Sequence, residues 1–118
     1  MNNVLTYYFY LFLLYQMLKL TPKQQLIYET LLKIPKGKVI TYGALGKYLD
    51  IHPRAVGRLL SKNTAPDKYP CFKVIAYDGS LNGFAYGLAD KEKRLKADGI
   101  EIVEGKVPEK YFWEFPMM

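Results

Sequence analysis

The segment 41–63, TYGALGKYLDIHPRAVGRLLSKN, decides the fold of this chain of 118 residues. Thr41 can cap a short helix over 42–50, because a threonine side chain accepts a hydrogen bond from the first helical turn. The residues IHP then make a turn, and Pro53 opens a second helix over 53–63. Two short helices joined by so short a turn are typical of a helix-turn-helix.

The second of these helices has one apolar and one charged face. Arg54 and Arg58 are four residues apart and therefore share a face. Val56, Leu59 and Leu60 supply the side that packs on the rest of the domain. The helix is therefore predicted to present two arginines to a groove of a DNA duplex.

Elements on either side complete a small domain. A helix is predicted over 21–33, with Thr21 as its cap and Pro22 at its first position. After the loop TAPDKYP, Val74–Tyr77 and Leu81–Phe84 are predicted to form a β-hairpin, which would be a wing.

The predicted fold class follows from these elements. A last helix is expected over 90–97, with Gly99 as its stop, and a short strand over 100–103. We therefore expect a mainly α fold with a small β wing, a winged-helix or helix-turn-helix domain over 21–103. Residues 104–118 are expected to be a C-terminal tail.

Residues 1–20 form a hydrophobic N-terminal extension to which we assign no function. A transmembrane helix needs about 20 mostly apolar residues, whereas the first 18 residues include two Asn, a Thr, a Gln and four Tyr. A secretory signal would need a basic start and a small-residue cleavage site, and neither is present. Three interpretations stay open: a helix packed on the domain, a weak membrane-surface anchor, or an extension upstream of a start at Met17.

Basic residues are concentrated in the middle of the chain. Residues 33–73 contain nine Lys/Arg and two acidic residues, a net charge of +7, whereas the remainder carries −1. Such a segment indicates a polyanionic partner, nucleic acid or an anionic membrane. The alternative is a solvated lysine-rich surface.

One cysteine and one histidine restrict the chemistry of a single chain. The lone cysteine excludes an intramolecular disulfide, argues against a thiolate-rich metal site and fits a reducing compartment. The lone histidine excludes most histidine-based metal sites and catalytic triads. We therefore expect no metal.

Four motifs stand in the order and near the spacing of one protein family: IPKGKVITYGALGKYL, RAVGRLLSKN, the dipeptide Pro70–Cys71, and DGSLNGFAYGL. Together they closely resemble the C-terminal, DNA-binding domain of the O6-alkylguanine-DNA alkyltransferases, the methylated-DNA–protein-cysteine methyltransferases. The resemblance runs from about Thr21 to about Gly99. Only about 20 residues precede it, so the family's usual N-terminal domain is expected to be absent.

The resemblance implies how the domain would meet DNA. Helix-turn-helix proteins usually read the major groove, but this family places the second helix in the minor groove, where shape dominates. Ala55 and Gly57 are small enough for close backbone approach, and Arg54 would fill the hole left by a flipped nucleotide. The expected phosphate contacts are basic residues: Arg58, Lys62 and Lys73.

The resemblance also implies a pocket for the flipped base, because an alkylated O6 atom is buried while the base is stacked. Tyr42 would lie at the pocket floor, donate to the base and crowd the target phosphate. Asn63 would hydrogen-bond the turn that leads to the cysteine. The wing would supply the pocket wall and its backbone N–H groups: Gly83, Phe84, Ala85, Tyr86 and Gly87.

Cys71 is the predicted nucleophile, although a lone cysteine is more often a small buried apolar residue. Where the family has Pro-Cys-His-Arg, this chain continues from Cys71 with Phe72 and Lys73. The histidine that relays a proton between thiol and glutamate is therefore missing, and Asp98 at the glutamate position is a weak relay candidate. Lys73 could lower the pKa of the thiol, whereas the apolar Phe72 would raise it. His52 is predicted to be a turn or phosphate-facing residue.

These motifs leave two main classes of function. The first is a suicide alkyltransferase that moves an alkyl group from O6 of guanine to its own cysteine, without turnover or cofactor. The second is a non-enzymatic alkyltransferase-like protein that flags the lesion for excision repair. A diverged winged-helix DNA-binding regulator is a third. For both main classes we expect a monomer that binds double-stranded DNA containing alkylated guanine, with no metal and no membrane partner, in the cytoplasm or the nucleoid or nucleus.

Overall fold

The computed structural model describes residues 3–18, 21–84 and 86–116. Within these ranges the helices are α1 (Asn3–Leu18), α2 (Pro22–Leu31), α3 (Tyr42–Leu49), α4 (Pro53–Leu60) and α5 (Leu88–Ala97). The strands are β1 (Ile40–Thr41) and β2 (Val74–Ile75), and two 3-10 turns span Cys71–Lys73 and Glu109–Tyr111. The predicted fold class, mainly helical with a small β element, is confirmed.

Helix α2 begins where its sequence predicts. The Thr21 hydroxyl accepts a hydrogen bond from the Gln24 N–H at 3.2 Å, and the Gln24 side chain accepts one from the Thr21 N–H at 3.0 Å. This reciprocal pair is a capping box. Further along, the buried Tyr28 donates its hydroxyl to the Leu59 carbonyl at 2.7 Å, which ties α2 to α4.

Helices α3 and α4 form the predicted helix-turn-helix. The Thr41 hydroxyl accepts from the Ala44 N–H at 3.0 Å and so caps α3. Gly46 is required for the turn between the helices, because a Cβ atom there would collide with the carbonyl oxygen of Ile51.

The ends of α4 and α5 follow the predicted signals in part. The His52 Nδ1 atom accepts from the Arg54 N–H at 3.1 Å, so this histidine caps α4 from the turn. Helix α4 ends at Leu60, three residues earlier than predicted, and the Asn63 N–H donates to the Leu60 carbonyl at 3.0 Å in a tighter turn. Helix α5 is followed by Gly99 at φ +86°, which acts as the predicted stop.

Strands β1 and β2 pair in parallel, with Ile40 opposite Val74. Strand β1 leads directly into α3, and β2 directly follows the 3-10 turn that begins at Cys71. The pairing therefore brings Tyr42, the first residue of α3, close to the cysteine.

The predicted β-hairpin is wrong, because Leu81–Phe84 forms no strand. The chain turns tightly instead, and the Ala76 N–H donates to the Ser80 carbonyl at 2.9 Å. Gly79, at φ +90°, accepts from the Val107 N–H at 2.9 Å and has no space for a side chain against the Val107 carbonyl. The backbone of Gly79 therefore hydrogen-bonds to Val107 in the C-terminal part of the chain, and not to a second strand of a hairpin.

Residues 104–116 pack on the domain. Val39 donates its N–H to the Tyr111 carbonyl at 2.9 Å and accepts from the Trp113 N–H at 2.8 Å. The strand predicted over 100–103 is also wrong, because its last residue only closes a turn with Lys106. These residues therefore cover the β1 side of the core instead of extending as a tail.

Helix α1 is exposed along the part whose side chains are described. Every apolar side chain from Val4 to Leu14 is at least 36% exposed. The interpretation of this segment as a helix packed on the domain is therefore wrong for these residues, whereas the other two stay open. Among the described helices, none is both long and apolar enough to cross a membrane.

Candidate functional site

Cys71 begins the 3-10 turn after Pro70 and is 8% exposed. The buried Asn63 donates its side-chain amide to the Cys71 Sγ atom at 3.2 Å and to the Tyr69 carbonyl at 2.9 Å. Its side-chain oxygen accepts from the Ala65 N–H at 2.9 Å. Asn63 therefore holds the loop that carries the sulfur in one orientation.

Cys71 lines a cavity of about 310 Å³. The lining residues come from the start of α3, the second half of α4, the loop after it and the wing segment: Tyr42, Gly57, Leu60, Ser61, Asn63, Cys71, Gly83 and Phe84. Its size is at the lower end of small-molecule pockets, about 300–1,000 Å³. Cys71 is thus nearly buried in the domain while its surroundings open beside α4.

The wing segment reaches the cavity through Gly83 and Phe84. Ala85 lies outside the described residues. Tyr86 is half-exposed, and its hydroxyl donates to the Asn63 carbonyl at 3.3 Å. Gly87, at φ +96°, turns the chain into α5.

The outer face of α4 is basic and unpaired. Arg54, Arg58 and Lys62 are exposed, and none forms an ion pair with a carboxylate in the described parts of the chain. Ala55 and Gly57 are half-buried between them. A second, more open depression of about 500 Å³ is lined by Arg54 and shares Gly57 with the cysteine cavity.

Lys73 does not contribute to this face. It is 5% exposed, its Nζ atom lies 3.1 Å from Asp98 Oδ2, and it donates to the Pro35 carbonyl at 3.0 Å. The prediction that Lys73 contacts DNA is therefore wrong, because its ammonium group is buried and neutralised.

Asp98 is likewise engaged elsewhere. Besides Lys73, it accepts the Gly37 N–H at 2.9 Å, and it lines a different depression together with Phe72. The structure shows no contact between Asp98 and Cys71 within the described residues. The weak prediction of Asp98 as a relay residue thus fails, because its carboxylate is the partner of a buried lysine.

Burial raises the pKa of the Cys71 thiol above its ordinary value of 9.0. The hydrogen bond from Asn63 and the charges of Lys91 and Arg94 lower it, but by less than burial raises it. The pKa of Tyr42 is raised in turn by burial and by the charge of Cys71. The phenol therefore stays a hydrogen-bond donor at neutral pH.

Lys91 is a residue near the site that the sequence did not single out. It is 1% exposed, and its Nζ atom donates to the Val74 carbonyl at 2.8 Å. Burial lowers its pKa to about 8, against the opposing effect of the Cys71 charge. Its only sequence signal is its position four residues before the buried Leu95, on the same face of α5.

The described residues do not support a metal site. Within residues 3–18, 21–84 and 86–116, no group of three or more His, Cys, Asp or Glu side chains is arranged to hold a metal ion.

Residues 22–100 match the protein family described as "6-O-methylguanine DNA methyltransferase, DNA binding domain". Among curated proteins, the chain is similar to a bifunctional methyltransferase/endonuclease of Picrophilus torridus, with 46% identity over 83 residues. That match covers 69% of this chain and 28% of the relative. The chain spans less than two thirds of the length of the curated relatives it matches.

Two solved structures are also similar. The O6-methylguanine-DNA methyltransferase from Pyrococcus kodakaraensis strain KOD1 is 38% identical with a TM-score of 0.66, over 69% of this chain and 48% of that chain. The S. pombe ATL protein in complex with DNA is 25% identical with a TM-score of 0.68, over 82% of this chain and 99% of that chain.

Proposed function

Because this chain belongs to the family of 6-O-methylguanine DNA methyltransferase DNA-binding domains, we propose that it transfers an alkyl group from O6 of guanine in double-stranded DNA to its own Cys71. The observation that carries this proposal is the position of the Cys71 sulfur, which lines a cavity that opens beside the basic face of α4.

DNA would be held by the outer face of α4. Arg54, Arg58 and Lys62 are exposed and unpaired in the described structure, so their charges are available to phosphates. Ala55 and Gly57 have small side chains or none, so the backbone in the middle of this face can approach a minor groove closely. A Cβ atom on Gly57 would meet only ordinary contact with the Tyr42 ring at 3.8 Å, so the fold itself does not require glycine there.

The base would reach the sulfur by leaving the stack, because the alkyl group on O6 is inaccessible within the duplex. The flipped guanine would enter the cavity between α4 and the wing segment. Arg54, in the first turn of α4, would occupy the vacated position in the duplex.

The chemical step is one displacement at carbon. The Cys71 thiolate attacks the alkyl carbon, the S–C bond forms as the bond from carbon to O6 breaks, and the electron pair of that bond stays on guanine. Guanine takes up one proton from the Tyr42 hydroxyl, and the resulting phenolate regains a proton from solvent. The thiol proton has left to solvent on thiolate formation, so no net proton is consumed. The thioether cannot regenerate the thiol, so each molecule reacts once.

Phe72 stands where the family has a histidine, so the proton relay to the thiol is missing. Because the thiol is also buried, this reaction is slow. Because burial raises the pKa of the thiol, the reactive thiolate is only a small fraction of the protein at pH 7. The same feature supports the second candidate function, in which the protein binds O6-alkylguanine without accepting the alkyl group. The similarity to the S. pombe ATL structure also fits that alternative.

One experiment separates the two functions. The protein is incubated with duplex DNA carrying O6-methylguanine and then weighed by mass spectrometry, with Cys71→Ser as the matched control. A gain of one methyl group on Cys71, absent in the control, supports transfer. Tight and lesion-selective binding with unchanged mass supports the alternative. If neither methyl transfer nor lesion-selective binding is observed, both proposed functions are refuted.

A further inference from the structure

Two cationic side chains near the cysteine turn are neutralised by carboxylates. Lys73 lies 3.1 Å from Asp98. Arg94 on α5 lies 2.7 Å from Asp90 and 2.8 Å from Asp67. Because each of these cations has an anionic partner within contact distance, much of its field at the sulfur is cancelled.

Lys91 differs from both. It is 1% exposed, yet it forms no ion pair with any carboxylate in the described residues. Its Nζ atom donates to the carbonyl of Val74, whose own N–H donates to the Cys71 carbonyl. The ammonium is therefore anchored on the turn that presents the sulfur. A buried cation is costly unless an anion accompanies it, and the anion that this turn can supply is the thiolate.

We propose that the Lys91 ammonium is the counter-ion of the Cys71 thiolate and favours its formation in the absence of a histidine after the cysteine. This inference rests on the proposed alkyl transfer for its purpose, although the charge interaction between Lys91 and the sulfur can be tested without DNA. Lys91 is a positioning residue, because it acts through the sulfur and does not line the cavity.

The pairing leaves the proton balance of the reaction unchanged. Lys91 stays protonated throughout, and the thiol proton leaves to solvent when the thiolate forms. When the S–C bond forms, the sulfur becomes a neutral thioether and its electron pair is used in the new bond. Lys91 therefore contributes charge without donating or accepting a proton.

Several groups determine how this pair titrates. The buried Tyr28 and the half-buried Tyr42 are phenols that interact with the cysteine, and the pKa of each is raised, so both are neutral near pH 8. Arg94 remains charged. Lys91 itself has a pKa lowered to about 8, so the counter-ion is present below that pH and is lost above it.

The test uses iodoacetamide, which alkylates the single cysteine of the chain and requires no DNA. Alkylation rates are followed by mass from pH 6 to pH 10 for the unmodified protein, Lys91→Met and Lys91→Gln. Lys91→Gln removes the charge but keeps a donor for the Val74 carbonyl. Lys93→Met is the matched control, since Lys93 is an exposed lysine on the same helix.

We expect both Lys91 variants to raise the apparent pKa of the thiol by about one unit, with a rate about tenfold lower at pH 7. Lys93→Met should behave as the unmodified protein. An unchanged titration in Lys91→Met and Lys91→Gln would overturn the proposal, and so would a shift in Lys91→Met alone, which would indicate a packing effect.

If circular dichroism shows that neither Lys91 variant folds, the proposal is tested on the unmodified protein alone. Its alkylation rate should rise less than tenfold per pH unit above about pH 8, because the counter-ion is then being lost. A simple single-site titration curve would contradict this. Methyl transfer from DNA is measured in parallel, so a shift without transfer refutes only the proposed function, and transfer without a shift refutes only the role of Lys91.

Discussion

The cations of α4 and α5 differ in what surrounds them. Arg54 and Arg58 on α4 are exposed and form no ion pair with any described carboxylate. On α5, Arg94 contacts two carboxylates, and Lys96 pairs with Glu92 at 3.0 Å. The positive field of α4 is therefore available to a polyanion, whereas much of the charge of α5 is cancelled within the domain.

This difference shows that proximity to the cysteine in sequence does not identify a DNA-contacting cation. Lys73 is two residues from Cys71, yet it is buried against Asp98. Arg58 is thirteen residues from Cys71 in the sequence and lies on the free face of α4. Substitutions in the buried Lys73–Asp98 pair should therefore reduce stability, whereas substitutions on the exposed face of α4 should reduce DNA binding.

The largest effect is expected from Asp98→Asn, which leaves the Lys73 ammonium buried without a carboxylate. Removal of one partner from a buried pair is strongly destabilising, so we expect the free energy of unfolding to fall by about 3 kcal/mol in urea titrations. Asp67→Asn is the control, because its carboxylate is 91% exposed and its pair with Arg94 should contribute less than about 1 kcal/mol. Equal losses would mean that the paired cations do not differ as described.

The second prediction concerns how the rate of alkyl transfer to Cys71 depends on pH. The thiolate is the reactive form and burial holds the pKa of Cys71 above 9.0, so single-turnover transfer should accelerate as pH rises. We expect about a tenfold increase from pH 6 to pH 7 and a smaller one above about pH 8, where Lys91 loses its proton. DNA affinity of Cys71→Ser, measured over the same range, should not follow this profile. A rate independent of pH would show that thiolate formation does not limit transfer.

Arg54→Ala tests the free face of α4. We expect about tenfold weaker binding to a lesion-containing duplex, about 1.4 kcal/mol, in fluorescence anisotropy titrations. Binding to a single strand should weaken less, because only a duplex has a vacated position to fill. Lys96→Ala, on the paired α5 side, should leave both affinities unchanged. Equal losses with duplex and single strand would argue against insertion of Arg54.

The smallest effect concerns salt. Each phosphate contact contributes about one to the slope of log affinity against log salt concentration. Arg58→Ala and Lys62→Ala should therefore each flatten this slope by about one for duplex DNA, whereas Lys96→Ala should not change it. A slope that is already flat in the unmodified protein would mean that the basic segment is merely solvated.

Much of the fold could be predicted from the sequence, because its signals are local. The Thr21 and Thr41 caps and the turn before Pro53 depend on residues within one helical turn of each other. The hairpin prediction failed for the opposite reason. The bonds of Gly79 go to Val107, which lies far along the chain and gives no signal next to the turn.

The site was predictable to a smaller extent. The motifs named residues that the structure brings together around one cavity, such as Tyr42, Asn63 and Cys71. They did not separate the lysines, since a lysine in sequence gives no indication of whether its ammonium meets solvent, a carboxylate or a carbonyl. Lys73 and Lys91 were therefore missed as buried groups.

The sequence by itself determined the helix-turn-helix, its basic outer face and the presence of one cysteine after a proline, because helix periodicity, capping and composition act over a few residues. Only the tertiary structure decided which charges are free. The electrostatic state of a side chain depends on groups brought near it from distant segments, as Asp98 is brought to Lys73 and the Val74 carbonyl to Lys91. Burial then strengthens each of these interactions by excluding water.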